Sequence, residues 1–204
     1  MIPFKSDKPR EILPEGSYAA RIYSIVQIGQ VPNTFPGSEY PTTPKLRITW
    51  ELDETREFDG VQKPLVIGAK YTISLGEKSN LRPIVEGILG KLDEEDIENF
   101  DMKNLMGKTC MVSVLHKTSK TGKEYAIVAS TAALPKKMTA PEPFNPQVYL
   151  DYNEGWDEAV YMALPQFIKD DMATSLEMQE RKVAPNQPTD FEYPEDENTA
   201  GIPF

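Results

Sequence analysis

One histidine and one cysteine, His116 and Cys110, are all the chain offers of these two residue types. A tetrahedral zinc site needs three or four His or Cys ligands, so a single chain cannot build one from them. A serine nucleophile would have to take His116 as its base. That residue continues the face of Cys110, Val112 and Val114 in an alternating stretch, where a histidine satisfied by structure is the expectation. "MGKT" at 106–109 has the glycine, lysine and hydroxyl of a phosphate loop. The glycine required five residues before Gly107 is Met102, and strand-like alternation follows in place of a helix, so the stretch reads as a turn. Asp93, Glu94, Glu95 and Asp96 lack the alternate ligands and central glycine of a calcium loop. They suit a helix start, where carboxylates complement the dipole. No catalytic residue, metal site or cofactor is expected, and the chain reads as a non-enzyme.

A different chemistry is better represented. Arg21, Lys45, Arg47 and Lys70 fall on polar positions of predicted strands, and Lys117, Lys120 and Lys123 cluster about a predicted hairpin turn. Tyr23 shares a strand with Arg21, while Phe35 and Tyr40 lie in a long predicted loop. Proteins that hold single strands without reading sequence combine a cationic groove for phosphates with aromatic platforms for bases. The cations are therefore candidates to neutralise phosphates, and Tyr23, Phe35 and Tyr40 to stack bases. Lysines on outward strand faces are also ordinary solvated residues, and Trp50, on the face of Leu46 and Ile48, reads as core.

The elements that must position these groups are mainly strands. Gly16–Gln30 is rich in β-branched and aromatic residues and opens after the turn signal Pro14-Glu15-Gly16. "VPNTFPGSEYPTTP" (31–44) then reads as a long loop. "KLRITWELDE" alternates Leu46, Ile48, Trp50 and Leu52 against Lys45, Arg47, Thr49 and Glu51, and "IGAKYTISLG" repeats the pattern. Leu81, Ile84, Val85, Ile88 and Leu89 keep helical spacing, with Ser79 or Asn80 as cap and Pro83 in the first turn. A short second helix is capped by Asp93. "KTCMVSVLHK" and "EYAIVAS" close a hairpin about Thr121-Gly122. Three strands, a helix and a hairpin is the element order of a five-stranded OB-fold barrel, whose strands 2 and 3 and two flanking loops form its binding face.

Beyond "APEPFNPQ", which reads as a linker, Trp156, Val160, Leu164, Ile168, Met172 and Leu176 recur at four-residue steps, interrupted by Pro165. This stripe either packs on the barrel or serves self-association into a homo-oligomer or a partner helix. From Val183 onward, prolines and acidic residues predominate and disorder is expected. The expected division is an OB-fold domain over 1–140, a linker and helical segment over 141–182, and an acidic tail over 183–204.

Charge follows that division. Residues 1–140 carry 19 Lys+Arg against 18 Asp+Glu, and residues 141–204 carry 3 against 14, giving +1 and −11. A near-neutral body with an acidic appendage is compatible with nucleic acid in a way the total of −10 is not. The acidic segment is also expected to compete for the cationic groove. No apolar run approaches the ~20 residues of a membrane span, and a lone cysteine suits a reducing compartment.

The closing "EDENTAGIPF" (195–204) is similar to the C-terminal tip of bacterial single-stranded DNA-binding proteins, where an acidic run precedes Ile-Pro-Phe. The resemblance implies that Glu195, Asp196, Glu197, Ile202, Pro203 and Phe204 recruit replication, repair or recombination enzymes. Here "NTAG" separates the acids from Ile202, a departure from the bacterial pattern. The body resembles instead a family of bacteriophage-encoded single-stranded DNA-binding proteins with an OB-fold. The matching stretches are "LPEGSYAARIYSI", "KLRITWEL", "YTISLGEKSNLRPIVEGILGK", "NLMGKTCMVSVLHKTSKTGKEYAIVAS" and "LPQFIKDD", from Leu13 to Asp171. What this implies is sequence-independent single-stranded DNA binding during phage replication, recombination or repair, in the host cytoplasm and away from membranes. Two rivals stay open: an OB-type adaptor or recombination mediator whose partner is protein, and a metal-dependent nuclease subunit.

Overall fold

The computed structural model describes residues 11–33, 39–58 and 60–183. Its elements in chain order are β1 (Gly16–Pro32), β2 (Thr42–Phe58), β3 (Val61–Thr72), α1 (Leu81–Leu89), α2 (Glu94–Glu98), β4 (Thr109–Thr118) and β5 (Glu124–Ala133). β6 (Val148–Leu150), α3 (Glu158–Ala163), α4 (Gln166–Met172) and α5 (Leu176–Val183) follow. The fold is mainly β, built on a sheet ordered β3-β2-β1-β4-β5, with antiparallel pairing at every step. β6 is a sixth strand that the alternation did not signal; it joins β1 in parallel, Ser24 to Val26 lying beside Val148 to Leu150.

β1 organises the molecule because it is buried on both faces. Its first part, Gly16–Arg21, pairs with β4, and β6 takes over along the strand where that ladder ends. Register shifts against β2, between Ile22 and Ser24 and between Gln27 and Gly29, change which side chains face inward. Ala20, Ile22 and Ile25 join the main core, whereas Val26 and Ile28 join a second one.

The main core gathers Leu46, Ile48, Trp50 and Leu52 of β2, as the alternation predicts, with Ile67 and Tyr71 of β3 and Cys110, Val112 and Val114 of β4. α1 adds Leu81, Ile84, Val85 and Ile88, each worth about 1.5–3 kcal/mol when fully buried. The helix lies close on β5. The Thr131 hydroxyl donates to the Ile84 carbonyl at 2.7 Å, and a Cβ at Gly87 would run into the Thr131 carbonyl oxygen. Only a glycine allows that approach.

The second core unites Val26, Ile28 and Leu150 with Leu164, Ile168, Met172 and Met178. The C-terminal helical segment thus packs on β1, one of the two roles open from the sequence. Trp156, Val160, Leu164, Ile168 and Met172 share this core, and the interruption expected at Pro165 is where α4 starts, its carbonyl accepting from the Ile168 and Lys169 amides. The turn between α4 and α5 moves the pattern, leaving Leu176 38% exposed while Met178 is buried.

Asp93 caps α2 in a reciprocal capping box with Asp96, and the Ser79 hydroxyl accepts from the Leu81 amide ahead of α1. His116 is tied to the Leu13 carbonyl at 2.8 Å through Nε2, and Met106 and Gly107 form a turn leading into β4, in which the Gly107 amide donates to the Ile22 carbonyl. The long loop is shorter than 31–44, because Val31 and Pro32 pair with Thr43 and Thr42. The β2–β3 hairpin runs further than the pattern showed, Phe58 pairing with Val61. The "APEPFNPQ" segment is fastened to the sheet. The Glu51 carboxylate, expected at the surface, is fully buried and accepts from the Phe144 and Asn145 amides and the Asn145 side chain at 2.8–3.2 Å.

Candidate nucleic-acid interface

β3 and β5, the two ends of the hydrogen-bonded path, approach each other without forming a ladder. Along this seam lies a groove of about 920 Å³. Arg47 and Lys70 line it from β2 and β3, and Leu115, Lys117, Tyr125 and Ile127 from β4 and β5, with Pro83 and Ile84 of α1 nearby. The β4–β5 side follows from strand geometry. Val114 and His116 alternate with Leu115 and Lys117, and register sets Leu115 opposite Ile127 and Lys117 opposite Tyr125. Tyr125 is 44% exposed.

On the other side Arg47 pairs with Lys70 in the β2–β3 ladder, so both project from the outer face. The guanidinium lies over bare backbone: a Cβ at Gly68 would stand 2.9 Å from Nη2. It donates to the Gly68 carbonyl at 3.4 Å, and its centre is 4.9 Å from the Phe167 ring centroid. Its Nε is buried with no hydrogen-bond partner among the described residues. Burial lowers the Arg47 pKa and the Asp171 carboxylate opposes this; an arginine keeps its charge regardless. Lys70 Nζ sits 2.8 Å from Asp171 Oδ1, and Arg47 Nη1 lies 4.0 Å from Asp171 Oδ2. Lys45 donates to the Thr72 hydroxyl at 2.7 Å, and burial, then the Lys70 ammonium, pull its pKa down. Among the described residues, three cations thus crowd one stretch of β2 and β3 against a single carboxylate.

The predicted residues do not all converge there. Arg47, Lys70 and Lys117 line the groove, and Lys45 lies beyond Lys70 in a smaller pocket shared with Asp171. Lys120 and Lys123 are exposed in the turn between β4 and β5. Tyr40 is 71% exposed just before β2. Tyr23 is the bulged residue of β1 and is half-buried; burial, then the Glu51 carboxylate, push its pKa up. Arg21 points elsewhere. Its guanidinium donates to the Pro141 and Gly107 carbonyls at 2.9–3.1 Å, pinning the segment after β5. Phe35 and the tip residues Glu195, Asp196, Glu197, Ile202, Pro203 and Phe204 lie outside the described residues.

Leu115, Tyr125 and Ile127 were not anticipated. Their signal was present, since "EYAIVAS" carries apolar residues on both faces of a strand with only one face toward the core. Phe167 and Asp171 of α4 were also unforeseen; they are brought to Arg47 across more than 100 residues of sequence.

Among the described residues, no three His, Cys, Asp or Glu side chains are grouped to hold a metal ion, and no helix is long and apolar enough to cross a membrane. Compared with protein-family models the chain matches none, and no curated protein matches it.

Proposed function

We propose that the protein binds single-stranded DNA without sequence preference, through the groove between β3 and β5. The observation that carries this reading is the pairing of chemistries across one seam. Arg47, Lys70 and Lys117 supply charge for phosphates, while Leu115, Tyr125 and Ile127 supply apolar and aromatic surface for bases. The strand order, the helix between β3 and β4, and the unpaired seam support an OB-type barrel, partly open, to which β6 and the C-terminal helices are additions. Lys45 extends the cationic track, and Lys120, Lys123 and Tyr40 stand at the two flanking loops. Arg21 is left out, because its donors are taken by carbonyls, and Tyr23 is too enclosed to offer its ring.

The resemblance to bacteriophage single-stranded DNA-binding proteins agrees with this reading and extends it. The protein would act in phage replication, recombination or repair within the host cytoplasm, and residues 195–204 would recruit partner enzymes.

A labelled oligo-dT titration tests the proposal. Four phosphates neutralised by Arg47, Lys70, Lys117 and Lys45 give a log–log salt slope of about −3. Affinity should then fall roughly 50-fold between about 50 mM and about 200 mM salt. Absence of binding at the lower salt would reject the reading, and magnesium-dependent loss of the oligonucleotide would favour a nuclease.

A further inference from the structure

Resting on that reading, we infer that Asp171 is a resident substitute for a nucleic-acid phosphate, holding Arg47 and Lys70 until a strand displaces it. Its carboxylate contacts Lys70 at 2.8 Å and reaches Arg47 at 4.0 Å. These are the two cations on the β2–β3 side of the groove. One helical turn earlier, Phe167 sets its ring against the Arg47 guanidinium. α4 therefore presents a negative group and an aromatic plane to the same cation, which is the pair of features a nucleotide would present.

The helix and these two side chains are held differently. Ile168 and Met172 anchor α4 in the second core at no more than 3% exposure. Phe167 is 53% exposed and the Asp171 side chain 26% exposed, both on the side toward the cations. Displacing the carboxylate requires a rotamer change and leaves the buried anchors in place.

The carboxylate also leaves the site under-filled. Arg47 Nε stays buried and unpaired, and Lys45 makes its hydrogen bond to a neutral hydroxyl. Beside Asp171 a pocket of about 220 Å³, lined by Lys45, Lys70, Thr174, Ile28 and Val31, gives an incoming group room. A phosphate offers more acceptor oxygens than Asp171 and can engage donors the carboxylate does not reach.

Asp171→Asn tests this, with Asp170→Asn as the matched control. Asp170 lies on the same helix and accepts from Gln166 rather than from the groove cations, so both variants change net charge equally. Asp171→Asn should bind oligo-dT about fivefold tighter at low salt, the scale of one partly exposed ion pair. Its salt slope should steepen by as much as ~0.7, with Asp170→Asn close to wild type. Asp171→Ser should repeat the gain if the asparagine disturbs packing, and thermal melts verify that each variant folds. Equal gains in the two Asn variants, or unchanged or weaker binding by folded Asp171 variants, would overturn the inference while leaving wild-type DNA binding intact. If neither wild type nor the Asp171 variants bind, the DNA-binding reading itself falls, and this inference with it.

Discussion

Tyr125→Ala separates base stacking from charge in the groove. The ring is 44% exposed and projects from the outer face of β5 beside Lys117 and Ile127. Its removal leaves the core in place but gives up a cross-strand pair and a good strand former, so stability should fall by about 1 kcal/mol. A stacked base contributes about 1–3 kcal/mol, which corresponds to a loss of roughly 5- to 150-fold in affinity. Tyr125→Phe keeps the aromatic plane and should stay within about twofold of wild type. Fluorescence anisotropy with labelled oligo-dT, repeated at several salt concentrations, distinguishes mechanism as well as size. No phosphate contact is lost, so the Tyr125→Ala line should lie below the wild-type line and parallel to it. Unchanged affinity would refute stacking at this position, and a shallower slope would mean that the ring had been supporting a phosphate contact.

Lys70→Ala and Lys117→Ala should each make the salt slope shallower by about 0.7, weakening binding to dT and mixed-sequence strands alike; oligonucleotide titrations at three salt concentrations measure this. Glu51→Ala should cost about 2–4 kcal/mol in urea unfolding, because two backbone amides and the Asn145 side chain lose a buried charged acceptor. Burial pushes the Cys110 thiol up to about 12 from an ordinary 9.0. The folded state therefore keeps a proton that the unfolded chain releases, so stability should fall between those pH values by up to about 1.4 kcal/mol per pH unit. Cys110→Ala should remove that component, measured as unfolding free energy against pH.

The sequence made legible what depends on neighbours in the chain. Leu46, Ile48, Trp50 and Leu52 alternate and are all buried, Asp93 and Asp96 cap their own helix, and Gly122 turns the β4–β5 hairpin at positive φ. What stayed hidden depends on segments that return from far away. Glu51 sits at an outward position of β2 and reads as solvated until residues 144 and 145 fold over it. Val26 and Ile28 become a second core because bulges shift the phase of β1, and a two-residue period cannot announce its own interruption. For the site, Arg47, Lys70 and Lys117 could be named from strand polarity. Arg21 has the same signature, yet carbonyls of the turn before β4 and of the segment after β5 use its donors. Phe167 and Asp171 share one face of α4 by spacing alone, but which strand that face meets is decided by the packing of Ile168 and Met172 on β1.

The groove itself is tested most directly by mapping where a strand touches the protein. Oligo-dT carrying photoreactive thymine analogues can be crosslinked to the full chain at low salt and the adducts located by mass spectrometry. If the seam between β3 and β5 holds the strand, adducts should concentrate on Tyr125 and on peptides spanning 66–72 and 111–130, and Tyr125→Ala should deplete them. Adducts confined to Tyr149, Tyr152 or Trp156, none of which lines the groove, would contradict the groove as the DNA site even in a protein that binds DNA.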